Sequence, residues 1–168
     1  MNKAIFLDRD GTINVDYGYV YKIDDFKFID GVIPALKKFK ENGYLLIVVT
    51  NQSGIARGMY QEKDFLKLNQ YMEEKLLENG IKIDGVYWCP HLENCECRKP
   101  KTSLFYKAKE DFNIDFSKSY VIGDKLRDLA LASEVSVKAI LINKDFDLIA
   151  KKNLYDAATY ICGGEFNE

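Results

Sequence analysis

Asp8 and Asp10 stand two residues apart in the run Asp8-Arg9-Asp10-Gly11-Thr12. Like charges so close oppose one another unless a cation lies between them. Hard carboxylate oxygens suit a divalent ion, most simply Mg²⁺. Such a pair can divide labour, one carboxylate attacking an electrophile while the other moves a proton to or from the leaving oxygen. Read alone, the motif is equally a loop whose Asp caps a turn. A second set, Val49-Thr50-Asn51-Gln52-Ser53-Gly54, offers a hydroxyl, amides and flexible backbone able to donate to phosphate oxygens. By itself it is a turn. Arg98-Lys99-Pro100 adds two cations, and Gly123-Asp124-Lys125, with Asp128 beyond, adds a further acid and a cation. Their plain readings are a surface charge pair and a helix cap.

A different chemistry is concentrated between residues 89 and 97. Cys89, the sole histidine His91, Cys95 and Cys97 form a C-x-H, three residues, then C-x-C pattern. Four soft or borderline ligands at this spacing suit a closed tetrahedral Zn²⁺ site, structural because catalysis would need an open position. Chance clustering is a poor alternative, since three of the four cysteines coincide with the only histidine. The loop leads directly into Arg98 and Lys99, so a bound zinc would stiffen the platform that carries them.

These residues need strands to bring them together. Short apolar runs at 3–7, 44–49, 83–88, 120–122 and 137–142 alternate with amphipathic stretches at 31–42, 61–79, 102–112 and 125–134. Asp30 is the expected cap of the first helix, and residues 158–162 read as a possible edge strand. The alternation predicts an α/β fold, a doubly wound and mostly parallel sheet whose sites form at the carboxyl ends of the strands. Each of the first four strands ends in one of the polar clusters. The long connection from 9 to 30, rich in Tyr (Tyr17, Tyr19, Tyr21), suggests a functional flap. Trp88 and Cys162 read as core residues. No insertion is large enough for a second domain, so a single domain over 1–168 is expected.

Composition excludes several classes. With 168 residues, 47% hydrophobic and 30% charged, the chain is of ordinary globular make-up and single-domain length. Its net charge of −2 argues against a nucleic-acid partner. No apolar run approaches the ~20 residues needed to span a bilayer. The first residues, with Asp8 following a short apolar run, do not read as a signal peptide, so a cytoplasmic protein is expected.

Taken together, D-x-D-G-T, then a Thr, a Lys and G-D resemble the haloacid dehalogenase superfamily of phosphotransferases. The resemblance narrows on residues 6–20, 28–32, 49–58, 97–100 and 121–125. These look like the bacterial D-glycero-D-manno-heptose 1,7-bisphosphate 7-phosphatases, over most of the chain, although the loop between His91 and Cys95 is shorter here. The resemblance implies a capless Rossmann-like fold, with Asp8 as the nucleophile that forms an aspartyl-phosphate. Asp10 would be the general acid and then base. Asp8, Asp124 and the Asp10 main-chain carbonyl would hold Mg²⁺, and Thr50 and Lys99 would bind the transferring phosphoryl group. Asp16, Tyr17, Gly18, Tyr19, Asn51, Gln52, Ser53, Arg98 and Lys125 would contact the substrate. Zn²⁺ would sit on Cys89, His91, Cys95 and Cys97. The implied activity removes the 7-phosphate of the sugar bisphosphate in nucleotide-heptose biosynthesis, by a monomer acting on a small molecule away from membranes. Histidinol-phosphate phosphatase is the alternative of the same class, against which the long match over residues 14–20 counts. A zinc-stabilised nucleic-acid module would need a basic stripe, and a phosphoacceptor signalling domain has no need of a second acid placed as Asp10 is.

Overall fold

A computed structural model of the chain describes residues 1–142 and 151–163. The expected 1–168 domain therefore extends beyond the described residues at 143–150 and 164–168.

Five strands form one sheet in which every pairing is parallel. β1 (Ala4–Leu7) lies at its centre, with β2 (Leu45–Asn51) and then β3 (Gly85–Cys89) on one side. β4 (Tyr120–Gly123) and then β5 (Lys138–Leu141) lie on the other. The order thus reverses between β1 and β4, and in a sheet of this kind the crevice opens outside the strand ends at that reversal. In register, Leu7 pairs with Val48 and Ile122, so Asp8 begins beside the end of β4 while β2 runs on to Asn51.

The apolar strands read as continuous runs because both faces are covered. Ala4, Phe6, Ile47, Val49 and Val121 face one layer, where α3 (Ser103–Phe112) supplies Phe105 and Ala108. The Phe6 ring meets Phe105 edge to face at 5.3 Å. The alternate residues Ile5, Leu7, Leu46, Val48 and Ile122 face the other layer. There α1 (Val32–Glu41), α2 (Glu62–Glu78) and α4 (Leu154–Cys162) pack their apolar stripes. Gln61 and Asp64 close the start of α2 as a reciprocal capping box.

Several local expectations are corrected. Gly31, not Asp30, caps α1, and its φ of +86° is a left-handed conformation that favours glycine. Residues 158–162 belong to α4 rather than to an edge strand. Leu154, Ala157 and Ala158 bury one helical face against the sheet layer, and Asn153 caps the start by accepting from the Asp156 N–H at 2.9 Å. A window that begins at Ala158 misses both signals. The stretch at 125–134 is a 3-10 helix, Leu126–Ser133. Trp88 is only half-buried on the edge strand, where it packs on Phe65 and donates to Glu62, and Cys162 is half-buried too. The 9–30 connection pins Ile13, Val20 and Phe26 into the core and leaves Asp16, Tyr17, Gly18 and Tyr19 exposed. Among the described residues no helix is long and apolar enough to cross a membrane.

Candidate active site

The end of β1 hands the chain to Asp8, and the loop after the sulfur-rich segment lays Lys99 beneath it. Lys99 is 2% exposed. Its ammonium donates to Asp8 Oδ1 at 2.9 Å and to the Val49 carbonyl at 2.7 Å, and pairs with Asp128 Oδ1 at 2.7 Å. Burial opposes the charge on Lys99, but Asp8 and Asp128 outweigh it and raise its affinity for the proton. A buried cation is tolerated only with such partners.

Asp8 remains under stress despite that pairing. Burial pushes its carboxyl up to about 8; Lys99 acts in the opposite direction, and Asp128, Asp10 and Asp124 add to the rise. The site holds more negative charge than one ammonium offsets. Oxygens of Asp8, Asp124 and Asp128 lie within 4.8 Å of one another. Asp124 Oδ1 is buried without a hydrogen-bond partner. Gly11, at φ +88°, brings the loop so close that a Cβ there would stand 2.2 Å from Asp124 Oδ2. Hard oxygens, excess negative charge and an orphaned carboxylate oxygen all fit a divalent cation such as Mg²⁺. Asp128, to which the sequence reading gave no role, belongs to this group. The Asp10 carboxylate does not, because Arg9 and Asn14 hold it at 2.9 Å each.

Asn51 clasps the backbone of Lys99 from the end of β2, donating to its carbonyl at 3.2 Å and accepting from its N–H at 2.9 Å. Thr50 is buried, its hydroxyl accepting from Gln52 Nε2 at 3.0 Å. Above this floor opens a cavity of about 320 Å³. Asp8, Asp10, Asp16, Gly18, Tyr19, Asn51, Gln52, Ser53, Arg98 and Lys125, all expected from sequence, line it. Thr50 and Lys99 are buried beneath the floor, and Asp124 borders the adjoining hollow with Gly11 and Thr12. Tyr17 is 63% exposed and is not among the lining residues. The lining also includes Arg57, Tyr60, Arg127 and Asp128, which sequence reasoning left without roles. For Asp128 the available signal was a second acid four residues after Asp124. Arg57 and Tyr60 carried no local signal, since a turn brings them over the strand ends. Acids occupy the floor, whereas Arg57 and Lys125 are exposed at the rim and Arg98 is half-buried there.

Beside the cavity, the sulfur and nitrogen ligands converge. His91 Nδ1 is 3.3 Å from Cys97 Sγ, Cys89 Sγ is 3.7 Å from Cys95 Sγ, and one ligand atom from each of the four residues falls within 4.8 Å of the others. Burial pushes the Cys89 thiol up to about 12. Burial acts the same way on Cys95, but backbone N–H groups of Arg98 and Cys97 donate to its sulfur and bring it down to about 7. Three sulfurs and one ring nitrogen in a tetrahedral-sized group fit Zn²⁺, which would hold the sulfurs as thiolates. Arg98 donates back to the His91 carbonyl at 3.5 Å, joining this loop to the cavity wall.

The comparisons with known proteins converge. The family model described as polynucleotide kinase 3 phosphatase matches residues 3–147. The D-glycero-beta-D-manno-heptose-1,7-bisphosphate 7-phosphatase of Haemophilus influenzae is 51% identical over 146 residues, covering 82% of this chain and 79% of its own. The D-glycero-alpha-D-manno-heptose-1,7-bisphosphate 7-phosphatase of Campylobacter jejuni is 51% identical over 144 residues, covering 85% of this chain and 84% of its own. Among solved structures, the D,D-heptose 1,7-bisphosphate phosphatase of B. bronchiseptica, complexed with magnesium and phosphate, superposes with a TM-score of 0.85 at 25% identity, covering 96% of this chain and 99% of that one.

Proposed function

The chain belongs to the polynucleotide kinase 3 phosphatase family and, with it, to the D-glycero-D-manno-heptose 1,7-bisphosphate 7-phosphatases, and from that premise we propose that it hydrolyses the 7-phosphate of the heptose bisphosphate. The observation that carries this reading is the pairing of Asp8 with the buried Lys99 at the point where the strand order reverses. Asp8 attacks the phosphorus, and the bond to the sugar oxygen breaks as an aspartyl-phosphate forms. Asp10 delivers a proton to the departing alkoxide, then removes one from the water that splits the acyl-phosphate. Lys99 and Thr50 would bind the transferring oxygens, with Lys99 offsetting the repulsion between a carboxylate and an anionic phosphate. Asp8, Asp124 and Asp128, with the Asp10 carbonyl, would hold Mg²⁺, which supplies electrostatic stabilisation of the phosphoryl charge when bound. Cys89, His91, Cys95 and Cys97 would hold Zn²⁺ as a structural clamp on the Arg98–Lys99 segment.

The rim favours the bisphosphate over histidinol phosphate. Arg57, Arg98, Lys125 and Arg127 all line the cavity and would meet a second, untransferred phosphate. The ammonium of histidinol phosphate would meet the same cations unfavourably. Asp16 and Tyr19 would cover the sugar from the flap. We place the reaction in the cytoplasm, in the synthesis of nucleotide-activated heptose. The test is steady-state turnover with Mg²⁺ of both heptose 1,7-bisphosphate anomers and of histidinol phosphate. Preference for either anomer supports the reading, and preference for histidinol phosphate overturns it.

A further inference from the structure

Arg9 heads the largest fully buried side chains, 1% exposed, yet the reaction as described gives it no task. Its guanidinium forks onto the neighbouring carboxylate. Nε donates to Asp10 Oδ1 at 3.2 Å, and Nη2 donates to Oδ1 at 2.9 Å and Oδ2 at 3.1 Å. The same Nη2 donates to the Val20 carbonyl at 2.9 Å. Val20 is the buried anchor at the far end of the exposed stretch 16–19. From the opposite side, Gln52 Nε2 donates to Asp10 Oδ2 at 3.3 Å, and Gln52 Oε1 accepts from the Tyr60 hydroxyl at 2.5 Å. Burial pushes the Tyr60 hydroxyl up to about 12, with Arg9 acting the other way, so it keeps its proton and its donor role. The Tyr60 ring in turn stacks on Tyr21 of the flap, with centroids 5.0 Å apart and planes 12° from parallel. Besides Asn14, Asp10 is therefore gripped by Arg9 and by Gln52, and each of these two grips also holds the flap.

We propose that Arg9 and Tyr60 are positioning residues for proton transfer, aiming the Asp10 carboxylate and making that aim depend on a seated flap. The proposal rests on the reading of Asp10 as the acid and base of the phosphatase reaction. A misplacement of ~1 Å in such a group costs on the order of 100-fold in rate, which gives a fixed fork its value. A lysine at position 9 would keep the charge and the burial but could not hold both oxygens in one plane. The two-sided grip also places proton delivery under the same contacts that close the flap over a sugar.

The discriminating variable is the leaving group. A sugar alkoxide needs the proton from Asp10, whereas 4-nitrophenolate departs without one. Single-turnover release is measured with Mg²⁺ for Arg9→Lys, Tyr60→Phe and Asp10→Asn, on heptose 1,7-bisphosphate and on 4-nitrophenyl phosphate. If the heptose ester is not a substrate, any primary sugar phosphate that the unmodified protein turns over replaces it. That result would overturn the substrate assignment while leaving this test intact. The expected outcome is a loss of about 100-fold for Arg9→Lys and about 10-fold for Tyr60→Phe on the sugar ester, with KM within about twofold and the nitrophenolate burst within about twofold of the unmodified protein. Tyr60→Phe keeps the stack on Tyr21, so it carries the test if Arg9→Lys fails to fold. Equal losses on both esters in these variants, while Asp10→Asn still discriminates between them, would mean that Arg9 and Tyr60 only support the fold, and would overturn the proposal. Equal losses in Asp10→Asn itself would remove Asp10 as the proton donor, and the proposal with it.

Discussion

The carboxylate floor and the cysteine–histidine loop meet where only Arg98 separates Cys97 from Lys99, yet they balance their charge in opposite ways. On the floor, Lys99 sits 2.9 Å from Asp8 and 2.7 Å from Asp128, so much of the compensation is built into the protein. Strand ends and the Asn51 clasp hold that arrangement in place. In the loop, among the described residues, the ammonium of Lys101 reaches the Cys95 carbonyl and Glu96 rather than a ligand sulfur. Cys89 at the end of β3 and His91, Cys95 and Cys97 in the irregular segment after it meet one another instead. The floor should therefore persist without its cation and lose only chemistry, while the loop should lose its shape. A buried charge with an internal partner preorganises a site, whereas one awaiting an external partner makes the local fold conditional on that partner.

The largest effect expected is on the floor. Asp8→Asn should reduce turnover by at least ~10⁴-fold, as loss of a nucleophile does, and should not lower the thermal midpoint, because it removes a charge that burial disfavours. Turnover within about tenfold of the parent would end the assignment of Asp8. Next comes the loop. Cys89→Ser replaces a fully buried ligand and should weaken zinc retention by at least about 100-fold, read by a chromophoric chelator. It should also lower the melting midpoint, unlike the Asp8 variant. If stripping Mg²⁺ rather than Zn²⁺ produced the larger fall in midpoint, the contrast between the two regions would be reversed. Gly11→Ala probes the floor more gently. Its Cβ would meet Asp124 Oδ2 at 2.2 Å in a left-handed backbone, so Mg²⁺ affinity should weaken by about tenfold and stability by ~1 kcal/mol, checked by Mg²⁺ titration of activity and by denaturation. The smallest effect is in pH. Asp8 binds its proton more tightly folded than unfolded, so without Mg²⁺ the folded state carries the extra proton between the ordinary carboxylate range and about 8. Stability should therefore fall as pH rises through that window, read as a falling midpoint in chelator. Added Mg²⁺ should flatten the slope, and a midpoint that rose with pH in chelator would contradict the charge balance drawn for Asp8.

Local signals carried much of this. Asp8, Lys99 and Asp124 were legible because each directly follows an apolar strand or a metal-ligand pattern, and the cysteine–histidine spacing was legible because zinc geometry constrains it. Asp128 was seen but given no role, since its neighbours in space, Lys99 and Asp8, are remote in sequence. Arg57 and Tyr60 escaped for the same reason. Residues 158–162 alone read as a strand because Asn153, whose side chain starts the helix, lies outside that window.

The sequence by itself determined the parallel sheet, the faces of its strands, the cysteine–histidine ligand set and the acids Asp8 and Asp124, because period, strand-end polarity and ligand spacing are local properties of a chain. Tertiary structure alone decided which acid Lys99 would pair with, that Asp10 would be turned away from the metal-type group, and that Arg9 would be buried between Asp10 and the flap. Those outcomes depend on distances between residues far apart in the chain. Whether a buried charge finds its partner is settled only when the strands lie side by side.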